Sequence, residues 1–149
     1  MTASERATEL ATAAAMAAAD KLATDVVALD VSDQLVITDV FLVASAPNDR
    51  QVRSIVDAIE ERLLPMGAKP IRREGHREGR WVLLDFGDLV VHVQHAEERE
   101  YYSLERLWRD CPVIELPEEA RGQKRHPLGD PDAGFYAGPS GQGAVSPQR

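Results

Sequence analysis

The sequence has a single cysteine, Cys111, among its 149 residues, and aromatic residues make up only 5% of it. One cysteine cannot form a disulfide framework within the chain, which suits a protein of the reducing cytosol. The alanine-rich N-terminus has no basic leading segment and carries Glu5, Arg6 and Glu9, which argues against a signal peptide or a membrane span. The sequence therefore predicts a cytoplasmic protein with no membrane partner.

Sequence motifs of the common catalytic chemistries are also missing. There is no G-x-S-x-G elbow, Walker A sequence or G-x-G-x-x-G fingerprint, and Cys111 has no catalytic histidine in a recognisable motif. His92 and His95 would point to opposite faces of a strand, so they cannot chelate a metal ion from one face. We predict no enzyme activity, no cofactor and no metal site.

A divalent-metal-dependent enzyme similar to the nucleotidyltransferases is the alternative function. Such an enzyme needs clustered carboxylates that hold metal against nucleotide phosphates. The four candidate carboxylates are Asp30, Asp39, Asp85 and Asp88. Their spacing does not fit such a metal site, because Asp85 and Asp88 lie on opposite sides of a turn and no Gly-Ser phosphate loop precedes a helix.

Positive charge is scarce in the first three quarters of the chain. The net charge is −8, and residues 1–116 carry 13 Lys and Arg against 21 Asp and Glu, while residues 117–149 carry 4 of each sign. An acidic body is repelled by phosphate and by anionic membranes. The charge favours either a basic partner or simple solubility.

The pattern of apolar residues predicts a single α/β domain, a mixed β-sheet of about five strands with helices packed on it. A helix begins at the capping pattern Thr2-x-x-Glu5 and runs to about residue 23. Strands follow at residues 26–31 and 35–45. A second helix is capped by Asn48, and a third strand covers residues 70–74. The apolar stripe of the second helix is Val52, Ile55, Val56, Ile59 and Leu63.

Residues 81–94 predict a β-hairpin, because Phe86-Gly87-Asp88-Leu89 places glycine where a two-residue type II′ turn needs it. If Phe86 pairs with Leu89, one face of the hairpin is wholly apolar. The other face is mixed and carries Trp81, Leu83, Asp85, Val90, His92 and Gln94. An aromatic side chain beside polar groups on an open sheet face is typical of an interface hot spot.

The last predicted helix begins near Glu97 and ends before Pro112. Helical spacing places Tyr101, Leu104, Trp108 and Cys111 on its buried side, and Tyr102 on its outer side. An edge strand at residues 113–116 completes a domain of residues 1–116. Residues 117–149 contain six Gly and five Pro, few large apolar residues and no periodicity, so they are predicted to form a disordered tail.

The only local basic cluster consists of Arg72, Arg73, Arg77 and Arg80. Glu74 and Glu78 are interleaved with these arginines, which favours a solvated hairpin rim over a grip on phosphates. Binding of RNA through this cluster is nevertheless one prediction that can be tested.

Several segments resemble the ribosomal silencing factors, also called the Iojap-like family, over about residues 5–116. They are residues 37–45, 48–52, 74–75, 81–88, 90–93 and 99–108, which include the series W-x-x-x-D-x-G-D, VH and Y-x-L-E-x-L-W. The resemblance implies a nucleotidyltransferase-like topology without the catalytic motif. It also implies binding to the large ribosomal subunit through ribosomal protein fourteen, obstruction of small-subunit joining, and an ability to self-associate as a homodimer.

The sequence departs from the family pattern at three places: Val40 replaces a tyrosine, Ala46-Pro47-Asn48 replaces a Gly-Thr-Ser turn, and Gln94 replaces a Phe or Met. Gln94 lies on the mixed hairpin face, so we expect a more polar partner contact there. The predicted mechanism is steric, with Trp81 as the apolar anchor. The predicted partner-binding residues are Trp81, Asp85, Asp88, His92, Gln94 and Tyr102.

Overall fold

The computed structural model describes residues 2–124, and its elements follow the predicted order. The helices are α1 (Glu5–Asp20), α2 (Asp49–Leu63), α3 (Ala96–Tyr101) and α4 (Leu104–Leu107), with 3-10 turns at Leu64–Met66 and Glu118–Ala120. The strands are β1 (Thr24–Asp30), β2 (Val40–Ala46), β3 (Arg72–Glu74), β4 (Trp81–Asp85), β5 (Leu89–His95) and β6 (Val113–Ile114). Within residues 2–124 they form one sheet in the order β3-β4-β5-β2-β1-β6, in which β2 and β5 pair in parallel and the other neighbouring strands pair antiparallel. The α/β class is confirmed, with six strands.

Helix α1 packs an alanine-rich side against the sheet, and small side chains allow this close approach. Its cap differs from the prediction. Ser4, not Thr2, caps the helix by accepting a hydrogen bond from the Ala7 N–H at 3.0 Å. Thr2 is too early because the Ala3 and Ser4 N–H groups already donate to carboxylates of Asp30 and Asp39, which hold this segment in an extended form. The helix also ends at Asp20, three residues before the predicted end.

Helix α2 forms as its sequence predicts. The Asn48 side chain accepts from the Gln51 N–H at 2.8 Å, and all five residues of the predicted apolar stripe are fully buried. With α1, this helix covers one face of the sheet and encloses the larger core. That face therefore has no room for a partner.

The loop between β1 and β2 is longer than predicted, because β2 begins at Val40 and not at residue 35. The Gln34 and Leu35 N–H groups both donate to the Val31 carbonyl, which turns the chain away from the sheet. Val36 and Ile37 are consequently exposed, with relative accessibilities of 101% and 84%. The apolar run from residue 35 predicted a strand here, and the structure does not form it before Val40.

The hairpin of β4 and β5 has the predicted register. Trp81 pairs with Gln94, Leu83 with His92 and Asp85 with Val90. The Phe86 N–H donates to the Leu89 carbonyl at 2.8 Å, and Gly87 has a φ of +93°, which a residue with a side chain rarely adopts. The two hairpin faces are therefore sorted as the sequence predicts.

The prediction of a single helix after the hairpin is wrong. Tyr102 and Ser103 interrupt it and separate α3 from α4, and the Ser103 side chain caps α4 by accepting a hydrogen bond from the Arg106 N–H. Tyr101 is 80% exposed, contrary to its predicted burial, while Leu104 and Cys111 are buried as predicted. Tyr102 is 50% exposed, as expected of the outer side.

The C-terminal part confirms the edge strand, since β6 pairs with β1 at the border of the sheet. The predicted change to a disordered tail at residue 117 is wrong for residues 117–124. Ala120 is fully buried, and the Asp25 N–H donates to the Gln123 carbonyl at 2.7 Å. The rest of that predicted tail, residues 125–149, lies outside the described residues. Within residues 2–124, no helix is both long and apolar enough to cross a bilayer.

Candidate partner-binding face

The candidate site lies on the sheet face opposite α1 and α2. Side chains of a strand alternate between faces, so Trp81, Leu83 and Asp85 of β4 share this face with His92 and Gln94 of β5. A smaller apolar cluster covers the part of this face that β1 and β2 form. It contains Leu29, Val31, Phe41, Val90 and Cys111, with Trp108 packed against it. The part of the face that β4 and β5 form is left partly open.

Three aromatic side chains occupy this open part. The half-buried Trp81 ring lies 5.6 Å from the Tyr102 ring, centroid to centroid, and Tyr102 lies 4.8 Å from Tyr101. We call Trp81, Tyr101 and Tyr102 the aromatic face. Side chains of this kind combine a large apolar ring with a polar group, which suits a protein interface.

His92 supports the aromatic face from below. Its Nδ1 atom accepts a hydrogen bond from Trp81 Nε1 at 3.2 Å, and its ring meets the edge of Phe41 at 5.1 Å. Burial lowers the pKa of His92 from 6.5 to about 4, so the imidazole is neutral near pH 7. His92 is only 6% exposed, which corrects its predicted role. It accepts a hydrogen bond from the indole, and its burial leaves very little surface for a partner to contact.

Gln94 is also fully buried, and its predicted place in the contact surface is corrected for the same reason. Its Nε2 atom donates to the Tyr102 carbonyl at 3.4 Å, exactly where the chain bends between α3 and α4. Gln94, in place of the family's Phe or Met, was expected to make the partner contact more polar. Its polar group lies inside the domain instead. It helps to position Tyr102.

Arg99 is a supporting residue that the sequence analysis missed. Its side chain is fully buried, and its guanidinium donates to the Thr24 carbonyl at 3.2 Å, to Ser45 Oγ at 3.1 Å and to Glu105 Oε2 at 2.7 Å. These bonds fasten α3 and α4 to β1 and β2. The signal in the sequence was Ser103, a helix-capping residue type, because Arg99 can reach Glu105 only when the helix is broken between them.

Asp85 and Asp88 lie at the far end of the hairpin, away from the aromatic face. Four residues of extended strand separate Asp85 from Trp81, which is roughly 13 Å. The Asp85 carboxylate accepts from the Gly87 N–H at 2.9 Å, with Arg72 at 3.9 Å, whereas Asp88 is exposed. The structure thus divides the predicted site into an aromatic group and an acidic group.

Three of the four clustered arginines form ion pairs with carboxylates of this chain. Arg72 contacts Glu74 at 3.4 Å, and Arg73 contacts Glu60 at 2.9 Å. Arg80 contacts Glu97 at 2.9 Å and Glu98 at 3.3 Å, and its hydrogen bond holds the pKa of Glu97 below the ordinary value. Such pairing favours the solvated rim over the phosphate grip.

Three of the four carboxylates considered for metal chemistry, Asp30, Asp39 and Asp85, have hydrogen-bond partners within the chain. Asp30 accepts from the N–H and hydroxyl of Ser32 and from the Ala3 N–H. Burial raises its pKa, but these bonds outweigh burial, and the net pKa is lowered. Within the part of the chain that the structure describes, no group of three or more His, Cys, Asp or Glu residues is arranged to hold a metal ion.

Comparison with known proteins gives consistent matches along the chain. The family model described as ribosomal silencing factor during starvation matches residues 4–133. The ribosomal silencing factor RsfS of Bacillus subtilis is 44% identical over 103 residues, which cover 69% of this chain and 87% of the relative. The RsfS of Halalkalibacterium halodurans is 43% identical over 108 residues, with coverages of 72% and 92%. A crystal structure of a Chromobacterium violaceum protein, 31% identical, superimposes with a TM-score of 0.69 and covers 82% of this chain and 92% of its own.

Proposed function

The chain belongs to the ribosomal silencing factor family, and on that premise we propose that it represses translation by occupying the large ribosomal subunit in the cytoplasm. The proposed contact is ribosomal protein fourteen, and the proposed result is that the small subunit can no longer join. Family membership supports a role as a ribosome-associated regulator of translation.

The exposed aromatic face is the observation that carries the proposal. Tyr101 and Tyr102 are 80% and 50% exposed, and the half-buried Trp81 lies against Tyr102. Rigid aromatic side chains give much contact area for little loss of conformational entropy, which is why Trp and Tyr are enriched among hot spots. Hydrogen bonds from below already fix Trp81 and the Tyr102 backbone, so little further ordering is needed on binding.

The charge of the domain supports a basic partner. The net charge is −8, and three of the four clustered arginines are paired with carboxylates of the chain. Proteins that bind ribosomal RNA are commonly basic, so an acidic domain complements them. Complementary charge mainly speeds the encounter and selects the orientation of the complex. A secondary contact with ribosomal RNA would involve Arg77, which has no ion pair among the described residues.

The proposed output is obstruction without catalysis. A standard interface buries roughly 800 Å² on each partner, which one face of this domain can supply while the rest projects from the subunit. A protein that projects where the small subunit must dock prevents joining for as long as it stays bound. The lifetime of the complex then decides how strongly translation is repressed.

Binding of purified large subunits tests the proposal directly. Trp81→Ala should weaken the affinity by roughly 30-fold, the equivalent of a hot spot of about 2 kcal/mol. Tyr102→Ala should weaken it in the same direction. Leu64→Ala is the matched control, because Leu64 is 52% exposed but lies beyond α2 and away from the aromatic face.

Co-sedimentation with large subunits and circular dichroism should be measured on the same samples. A folded Trp81→Ala protein that binds like the wild type would remove the aromatic face from the proposal. Equal weakening by Leu64→Ala would show that the effect is not specific to that face.

A further inference from the structure

Three exposed β-branched side chains lie outside the aromatic face. They are Val36 and Ile37 in the β1–β2 loop, 101% and 84% exposed, and Ile71 just before β3, 75% exposed. Single exposed apolar side chains are ordinary on protein surfaces. Two adjacent, almost wholly exposed apolar side chains with a third at the same end of the sheet indicate an interaction site.

The sheet register brings these residues to one end. Arg72 pairs with Asp85 and Val40 pairs with Leu89, so Ile71 and the β1–β2 loop flank the turn at Gly87 and Asp88. The Ile71 N–H donates to the Asp85 carbonyl at 2.7 Å. On the other side of the turn, the Asp39 and Val40 N–H groups donate to the Asp88 carbonyl at 3.0 and 3.1 Å.

We call Val36, Ile37, Ile71 and Asp88 the turn rim. Three strand spacings separate β3 from β2, so the rim is roughly 15 Å wide. That width fits within one side of an ordinary protein interface.

The loop that carries Val36 and Ile37 is held in place at both ends. The Val31 N–H donates to the Asp39 carbonyl at 2.9 Å, and the Val31 carbonyl accepts from Gln34 and Leu35. The Asp39 carboxylate accepts from the Ser4 N–H at 2.8 Å, which ties the loop to the start of α1. The apolar side chains are therefore presented on an ordered support, and binding would cost little additional entropy.

The charge around the rim selects the kind of partner. Asp88 is exposed and Asp39 is half-buried, Arg72 beside Ile71 is paired with Glu74 at 3.4 Å and with Asp85 at 3.9 Å, and the body of the protein is acidic. Nucleic acid and anionic lipid would be repelled by this end of the molecule. A second copy of the chain would bring the same carboxylates together. A basic protein segment with apolar side chains would satisfy both the charge and the apolar area.

We propose that the turn rim is a second docking site, which takes a basic protein segment of the large ribosomal subunit while the aromatic face makes the first contact. This inference rests on the proposed function, because it names a further contact on the same partner. It assigns Val36 and Ile37 as apolar anchors and Asp88 as the charged contact. Two contacts more than 10 Å apart fix the orientation of the docked protein, which obstruction requires.

The test uses the full chain and purified large subunits. Val36→Ser/Ile37→Ser should weaken the affinity by roughly tenfold or more, since burial of two β-branched side chains is lost. Ile71→Ser should weaken it less. Leu22→Ser is the matched control, because Leu22 is 57% exposed just before β1, at the end of the sheet where Thr24 pairs with Ser45 and opposite the turn rim, and it should bind like the wild type.

The outcomes separate the two proposals. If Trp81→Ala loses binding but the Val36→Ser/Ile37→Ser protein, folded by circular dichroism, binds normally, the rim inference is overturned and the proposed function stands. If the wild type does not bind large subunits, both are overturned. Sedimentation velocity and retention on protein-free ribosomal RNA complete the test. A rim variant that changes only self-association, or only RNA retention, would assign the rim to a second copy or to nucleic acid and overturn the inference.

Discussion

Two buried polar side chains, those of His92 and Arg99, hold the aromatic face from below. His92 accepts from the Trp81 indole, and Arg99 fastens the segment that carries Tyr101 and Tyr102 to the sheet. A buried polar group without a partner costs free energy, so each of these hydrogen bonds favours the arrangement in which it forms. The geometry of the exposed surface therefore depends on residues that no partner touches.

Replacement of Arg99 should be among the most damaging single changes. Arg99→Met removes a fully buried guanidinium that binds Glu105, Ser45 and the Thr24 carbonyl. Breaking a buried ion pair costs about 3–5 kcal/mol of the free energy of unfolding. Urea denaturation measures the loss. Arg99→Lys keeps the charge but cannot reach all three acceptors, and it should lose less; an Arg99→Met protein as stable as the wild type would contradict this role.

The buried His92 predicts a defined pH dependence of stability. Its pKa is about 4 in the folded protein, because of burial, and about 6.5 in the unfolded chain. Between these values the unfolded state binds the extra proton, so stability is complete above pH 6.5 and falls as the pH decreases towards 4. The loss over this window is roughly 3 kcal/mol.

His92→Gln keeps a hydrogen-bond acceptor for Trp81 but does not titrate in this window. The free energy of unfolding of wild type and variant should be compared by urea denaturation at several pH values. The variant should show the smaller decrease between pH 6.5 and 4. Parallel curves for the two proteins would mean that the folded-state pKa of His92 is close to its ordinary value.

The elements differ in how far local sequence determines them. The α2 stripe and the hairpin register were predicted correctly, because an Asn48 cap, a helical apolar period and Gly87 in the turn act over a few residues. The helix break at Tyr102 was missed, since the spacing of Tyr101, Leu104 and Trp108 fits one continuous helix. The interruption depends on long-range hydrogen bonds, those from Arg99 to β1 and β2.

The candidate site shows the same division. The hairpin register correctly grouped Trp81, His92 and Gln94 on one face, but it could not show that α3 and α4 cover two of them. The β1–β2 loop was misread for a related reason. Apolar residues usually report burial within the same chain, and Val36 and Ile37 do not follow that rule.

The turn between β3 and β4 depends on a close backbone approach at Gly75. Gly75 has a φ of +78°, and a Cβ atom there would lie 2.0 Å from the Trp81 carbonyl oxygen. Gly67 has nearly the same φ, +81°, with the nearest atom 3.8 Å away. Both Gly→Ala changes should cost about 1–2 kcal/mol of backbone strain, but only Gly75→Ala must also displace the start of β4.

Gly75→Ala should therefore lower the free energy of unfolding more than Gly67→Ala and should also weaken binding to the large subunit by moving Trp81. Urea denaturation and co-sedimentation measure the two effects. Equal effects of the two substitutions on both quantities would show that the close contact with Trp81 is relieved without consequence.

At the scale of the whole molecule, an acidic domain has one sheet face covered by α1 and α2 and the other partly open. The covered face supplies stability, and the open face and the turn rim supply the contacts in our proposals. Such a body needs no moving part to act. It only has to stay bound in one orientation, which is why two separated contacts on one rigid sheet suit the proposed obstruction.

Local charge should control the rate of association with the large subunit. Asp88→Lys reverses an exposed charge at the turn rim and should slow association at low salt and reduce its dependence on salt. Glu115→Lys makes the same change in net charge at a side chain that is 91% exposed beside β6, and it should have the smaller effect. Stopped-flow measurements at several salt concentrations give both rates. Equal slowing by both variants would mean that only the net charge matters.

The most direct test of the central claim is sucrose-gradient fractionation of the two ribosomal subunits mixed with this protein under joining conditions. We expect saturating wild-type protein to leave large subunits free and to migrate with them, while Trp81→Ala leaves complete ribosomes. Undiminished complete ribosomes that carry the bound wild-type protein would contradict the account, because occupation of the large subunit would then not obstruct joining.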